Sequence, residues 1–158
     1  MKLKLFLIII LSSVIYQGQD VRSIKQLKER VDVTLSEGTL SILPLTDNVV
    51  RIKFYKGTEI PVPELIFTSS IKTPRFHVSD SQAKLEIKGK NIIVVLDKQT
   101  GKLSFKDNSG KIFLNEKAET RKLVPDSVMG EPCFMAEQSF ESPADEYIFG
   151  LGQFQDGH

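Results

Sequence analysis

Tryptophan is absent from this chain, and cysteine and histidine are almost so: one Cys and two His among 158 residues. A single thiol, Cys133, rules out a disulfide framework, so stability must come from a packed core; a buried, inert thiol is its default role. His77 lies in an alternating segment after Pro74, and His158 has no context beyond itself. Neither stands with the several ligands that a metal requires. No Gly-x-Ser-x-Gly elbow, Gly-Lys-Ser/Thr phosphate loop or metal-spaced pair occurs. The formal net charge is +1 and no basic run carries interleaved aromatics, which argues against nucleic acid as a partner. Sustained helical periodicity, internal repeats and low-complexity tracts are missing as well.

What is there is globular in composition, 41% hydrophobic and 26% charged, in a length that suits one domain. The first residues stand apart. Lys2 and Lys4 precede an apolar run from Leu5 to Ile15, interrupted by Ser12 and Ser13, and Tyr16-Gln-Gly18 follows. That layout is expected for a secretory signal over residues 1–19, cleaved near Gly18, and the run is short for a membrane span. Residues 20–158 then form the mature domain. Loss of Lys2 and Lys4 takes the formal charge of +1 to about −1, and the exported protein would be periplasmic or extracellular with no membrane association after cleavage.

From Val31 the dominant period is two. Val31, Val33 and Leu35 share one strand face; Thr39 to Leu43 and Val49 to Phe54 resume the pattern after turns at Ser36-Glu-Gly38 and Thr46-Asp-Asn48. Ile24 to Arg30 suits either a short helix or a strand. Residues 56 to 75 carry Pro61, Pro63 and Pro74 and are expected as loop or edge around Leu65-Ile66-Phe67. A second meander follows through Leu85 and Ile87, then Ile92 to Leu96, Leu103 to Phe105 and Ile112 to Asn115. The unbroken apolar run from Ile92 to Leu96 predicts a strand covered on both faces. Asp97 to Gly101 and Asp107 to Gly110 carry the Asp-to-Gly chemistry of hairpin connections. Between Thr120 and Phe140 the periodicity fades, leaving at most a strand from Phe134 to Phe140. Many short strands between turns imply an all-β, antiparallel β-sandwich.

The acids Asp32, Glu86, Asp97, Asp107 and Glu116 fall on polar strand faces or in turns, where carboxylates are normally solvated. Asp145 and Glu146 adjoin the glycine-rich end, Tyr147-Ile-Phe-Gly-Leu-Gly-Gln-Phe-Gln-Asp-Gly157, but as strand neighbours they would point apart. Gly150 and Gly152 lack the third glycine of a dinucleotide fingerprint, since position 155 is Gln. Glycines at this density allow close approach of a ligand or a neighbouring element. A domain rarely ends just after such a loop, so the chain is expected to continue beyond it.

Two stretches resemble the N-terminal β-sandwich of family 31 glycoside hydrolases. One is Val94-Val-Leu-Asp-Lys-Gln-Thr-Gly-Lys-Leu-Ser-Phe-Lys-Asp-Asn-Ser-Gly110 with Phe113-Leu-Asn-Glu116; the other is Asp145-Glu-Tyr-Ile-Phe-Gly-Leu-Gly-Gln153. The variant Gln153-Phe-Gln-Asp-Gly157 is most similar to exported bacterial α-glucosidases and α-xylosidases, and the resemblance covers about residues 26 to 157. It implies a galactose-mutarotase-like sandwich, a retaining α-glycosidase acting on α-glucosides or α-xylosides, and no cofactor. It also implies two catalytic aspartates on a (β/α)8 barrel that follows the sandwich and packs on it, so no catalytic residue is assigned within this chain. Gln153, Phe154, Gln155 and Asp156 become the candidate substrate-binding residues on a loop lent to the pocket. The absence of Trp sits less easily with a free-standing sugar-binding module. That module, and a structural envelope β-protein, are the competing readings.

Overall fold

The computed structural model describes residues 19–61 and 72–147. Among them every regular element is a strand. The first meander is β1 (Val21–Gln26), β2 (Val31–Leu35), β3 (Gly38–Thr46) and β4 (Val49–Tyr55), hydrogen-bonded in that order. The second is β5 (His77–Asp80), β6 (Lys84–Lys88), β7 (Ile93–Asp97), β8 (Leu103–Lys106) and β9 (Ile112–Asn115), again in chain order. A separate hairpin pairs β10 (Lys122–Val128) with β11 (Glu131–Glu137). All pairings are antiparallel. Of the segment Ile24 to Arg30, left open between helix and strand, Ile24 to Gln26 belong to β1, where Ile24 pairs with Val33, and Leu27 to Arg30 turn into β2 with Leu27 N donating to Arg30 O at 2.8 Å.

The two meanders stack face to face. Val31, Val33, Leu35, Leu40 and Ile42 of one sheet and Leu85, Ile87, Val94, Leu96, Leu103 and Phe105 of the other form a single buried cluster. Each such side chain contributes about 1.5–3 kcal/mol by leaving water, and the period-two alternation is what delivers them all to one side. The expected sandwich is therefore the observed one.

The run from Ile92 to Leu96 corrects one expectation. Val94 and Leu96 are buried, whereas Ile93 and Val95 are only half-covered on the outer face. Val95 lies there between Glu86 and Ser104 of the flanking strands, so β7 alternates in burial although its residue types do not.

Turn chemistry behaves as expected. Asp97 Oδ1 accepts hydrogen bonds from the amides of Gln99 (3.0 Å) and Thr100 (2.8 Å), and Gly101 N donates to Asp97 O at 2.9 Å. Asp107 Oδ1 likewise accepts from Ser109 N (2.8 Å), Ser109 Oγ (2.6 Å) and Lys111 N (3.0 Å). The Ser109 hydroxyl, with the two amides, holds the Asp107 carboxyl below its ordinary range.

Charged groups pin the chain that follows β4 against the first sheet. Glu59 accepts from Arg30 Nη1 at 2.8 Å and from Lys53 Nζ at 2.9 Å, while Asp32 accepts from Arg30 Nε and from the buried Ser41 hydroxyl at 2.5 Å. Hydrogen bonds from Lys53 and then Arg30 draw the Glu59 carboxyl below its usual value. The expected segment Leu65-Ile66-Phe67 lies outside the described residues.

The hairpin is where the sequence misled. Pro125 and Pro132 argue against ladder positions, yet they sit in β10 and β11, opposite Phe134 and Ser127 respectively. A two-stranded ribbon has a free edge along each strand, which spares a proline the bond it cannot donate. Met129 (φ 51°) and Gly130 (φ 85°) make the two-residue turn, both in the left-handed conformation that such turns require.

Candidate functional site

The chain concentrates its buried polarity at one end of the sandwich, where β9 gives way to the hairpin. Just after β9, Glu116 is 1% exposed, against the expectation of a solvated acid. Its burial is compensated by Arg121, which comes back beneath it five residues later. Arg121 Nε donates to Glu116 Oε1 at 2.9 Å, and Arg121 Nη2 pairs with Glu116 Oε2 in a second, parallel contact. Such a two-pronged guanidinium–carboxylate contact adds geometric specificity to charge. The remaining lone pairs and protons are also satisfied. Leu103 N donates to Glu116 Oε2 at 2.9 Å, Gln138 Nε2 to Oε1 at 3.0 Å, and Arg121 Nη2 to Gly101 O at 2.8 Å. Arg121 also stacks over Phe54, with the guanidinium carbon 5.5 Å from the ring centroid.

Gln19 completes the cluster from the far end of the chain. It is 7% exposed, donates from Nε2 to Arg121 O at 2.6 Å, and accepts from Arg121 Nη1 at 3.4 Å. One clasp thus ties together the entry to β1, the β7–β8 turn, the end of β9, the start of the hairpin and Gln138 beyond it. None of Gln19, Arg121 and Gln138 carries a sequence signal: each lies in a polar stretch without periodicity. Glu116 closes the Phe113-Leu-Asn-Glu116 motif, and that motif was the one pointer to it.

Clefts open on either side of the hairpin root. One, of about 360 Å3, lies between Gln19, Glu37, Lys56 and Arg121 to Pro125. A second, of about 460 Å3, runs between β4 and the hairpin, floored by Phe54, Leu123 and Phe134, with Lys56 Nζ 5.8 Å from the Phe134 ring centre. After β11 the chain returns alongside β9: Lys117 N donates to Ser139 O (2.9 Å) and Glu141 N to Asn115 O (2.8 Å). Glu141 also accepts from Lys102 Nζ at 2.9 Å, and this contact with Asn115's amide lowers its carboxyl from the ordinary value.

This geometry anchors and positions. Retaining hydrolysis needs two carboxyl groups about 5–5.5 Å apart. Among the described residues Glu116 is the buried acid, and Arg121 already neutralises it. Asp145 and Glu146 occupy an exposed turn rather than a strand, with Glu146 N donating to Pro143 O at 3.0 Å. His77 is exposed on β5 and Cys133 half-buried on β11. No group of three or more metal-ligating side chains occurs among the described residues. The candidate substrate-binding residues Gln153, Phe154, Gln155 and Asp156 lie outside the described residues. The described chain ahead of them leaves β9 at Glu141, whose amide donates to Asn115 O at 2.8 Å, and passes through the exposed turn at Pro143 to Glu146.

An antiparallel two-sheet sandwich with a projecting hairpin, held by a buried polar clasp, is the class of domain these observations define. Comparison with solved structures finds a similar fold in part of a glycoside hydrolase. The chain is similar to the GH31 alpha-xylosidase from Xanthomonas citri, with a TM-score of 0.73 and 25% sequence identity. The match covers 83% of this chain and 15% of that one. The likeness to family 31 is thus one of structure as well as of motif. Val94 to Gly110 forms β7, β8 and their connecting turn, and Phe113 to Glu116 closes β9 and enters the clasp. No family model matches the chain.

Proposed function

We propose that this chain is the N-terminal, carbohydrate-associated domain of an exported family 31 α-glycosidase. On this reading the domain supports hydrolysis of α-glucosides or α-xylosides by a (β/α)8 barrel that follows it in the full-length protein, and is inactive alone. The observation that carries the proposal is the similarity of 83% of the chain to about 15% of a GH31 alpha-xylosidase.

Two features support it. The buried carboxylate, Glu116, is committed to a structural ion pair with Arg121. Large apolar side chains also remain in water around the hairpin and β9: Phe113, Val128, Met129, Phe134 and Phe140 are all exposed. Apolar surface of this kind marks an interaction face, and a barrel packed on the sandwich would cover it. Barrel enzymes build their sites from loops at one face, and the segment leaving Tyr147 would bring Gln153, Phe154, Gln155 and Asp156 to that rim.

The test is to assay aryl α-glucosides and α-xylosides with the chain alone and with the chain joined to its natural continuation. The chain alone should be inactive and bind sugar no better than about millimolar. The joined protein should be active, and Gln153→Ala or Asp156→Ala should weaken it. Turnover by the isolated chain, abolished by mutating Asp145 or Glu146, would refute the reading. Tight sugar binding by the isolated chain would favour a free-standing carbohydrate-binding module instead.

A further inference from the structure

We propose that the outer face of the second sheet is an attachment surface for an acidic polysaccharide, one bearing carboxylate or sulfate groups. The choice of a glycan rests on the glycosidase reading above; the charged surface itself does not.

The strand registers line up one residue from each of the five strands across that face. His77 stands opposite Lys88, Lys88 opposite Ile93, Ile93 opposite Lys106, and Lys106 opposite Ile112. Ile87, Val94 and Phe105, each next in sequence to a member of this row, are buried between the sheets. Successive strand residues face opposite sides, so the row faces outward. None of the five is an acid. Neighbouring strands lie about 4.8 Å apart, which sets the backbones of Lys88 and Lys106 about 9–10 Å apart with Ile93 between them.

Towards the other end of the same sheet, lysines are neutralised. Lys84 pairs with Glu86 at 3.1 Å, Lys102 with Glu141 at 2.9 Å, and Lys98 with Asp80. Lys88 and Lys106 have no such partner among the described residues. Asp107, beside Lys106 in the chain, is turned to its own loop, where it accepts from the Ser109 hydroxyl and the Lys111 amide. Two uncompensated ammonium groups on a rigid sheet attract anions. Ile112, 47% exposed, and half-covered Ile93 add apolar surface beside and between them. Fixed cations alternating with apolar strips match a polymer whose anionic groups recur between the apolar faces of its sugar rings. A bilayer surface calls for denser charge, in clusters of about 4–8 basic residues. The two lysines come from separate strands, so no basic run marks them in the sequence.

The experiment measures retardation of the full chain by polygalacturonate in affinity electrophoresis, with neutral dextran and with phosphatidylglycerol vesicles as comparisons. The chain should be retarded by polygalacturonate and not by dextran, and less so as salt rises from about 50 to about 200 mM. Lys88→Glu combined with Lys106→Glu should weaken binding by about tenfold or more, with melting unchanged. The same charge change at Lys25 on β1 and Lys28 just after it, on the other sheet, should weaken binding by less than about twofold. Lys88→Gln combined with Lys106→Gln should fall between the two, and keeps the readout available if the reversed charges disturb folding. No retardation of the parent chain, or equal losses in the two charge-reversed pairs, overturns the proposal. Tighter binding to the vesicles with the same dependence on Lys88 and Lys106 also overturns it, and makes the row a membrane-facing surface. Loss of polygalacturonate binding when the chain is joined to its natural continuation would show this face to be covered there, and overturns it as well. A joined protein that binds polygalacturonate but hydrolyses no α-glycoside would refute the glycosidase reading and leave the row standing.

Discussion

The sandwich and the hairpin of this chain use similar amino acids to opposite ends. In the two sheets, Val, Leu and Ile at alternate positions meet across the interface and are fully buried. In β10 and β11, Val124, Val128, Phe134 and Met135 are exposed to between 37% and 61%, and Met129 at the turn is fully exposed. The hairpin keeps a complete seven-pair register from Lys122–Glu137 to Val128–Glu131 without a second layer of its own to bury against. An isolated two-stranded ribbon is marginal in water, so its persistence depends on its root. There Arg121 is locked to Glu116 and Gln138 closes the far side. One region is stabilised by area, the other by a few well-made polar contacts.

That contrast can be broken most severely at the root. Arg121→Met should leave the Glu116 carboxylate buried without its countercharge, at a cost of about 3–5 kcal/mol, measured by urea unfolding of the variant against the parent. Leu96→Ala, in the centre of the sandwich, should cost about 2–5 kcal/mol in the same measurement. A loss below about 1 kcal/mol at either site would mean that the two regions are not fastened as described.

A smaller effect is expected at Glu59, where Lys53 and Arg30 hold the carboxylate at the surface. Its folded value lies below the ordinary 4.5, so the pairing stabilises above that value and fades as pH falls through the lower, folded one. Glu59→Gln should therefore cost no more than about 1 kcal/mol at neutral pH. It should also flatten the acid side of a stability profile below about pH 4.5. A variant whose profile keeps the parent's acid limb would contradict the assignment. Smallest of all, Phe134→Ser should alter the melting of the isolated chain by no more than about 0.5 kcal/mol equivalent. In the protein joined to its continuation the same change should lower stability or activity measurably, and equal tolerance in both settings would remove the case for a covered hairpin face.

How much of this was legible beforehand follows from where periodicity and burial coincide. The two meanders could be read because Val31-Asp-Val-Thr-Leu35 and Lys84-Leu-Glu-Ile-Lys88 alternate in type as well as in burial. In β7 the types do not alternate, and the run looked doubly covered; its neighbours' polar side chains on the outer face decided otherwise. The hairpin was hidden because the apolar periodicity fades between Thr120 and Phe140, and Pro125 and Pro132 fit the ribbon only because its free edges cost them no ladder bond. The clasp was hidden for a different reason. A buried ion pair is a property of the tertiary surroundings, and Glu116 beside Asn115 and Lys117 has the local signature of any surface acid. The candidate loop at Gln153 to Asp156 rests on resemblance, and the structure reaches only to the segment that precedes it.

The meander topology has a kinetic consequence. Every ladder in both sheets joins strands adjacent in the chain, so most of the sandwich can zip through short loops with little closure entropy. The hydrogen bond between Gln19 and Arg121 spans 102 residues and has no local precursor. It is expected to close after the sheets have docked, and contacts made late slow unfolding more than they speed folding. Gln19 would then act as a latch: nearly silent in the refolding rate, and visible in how long the folded domain survives.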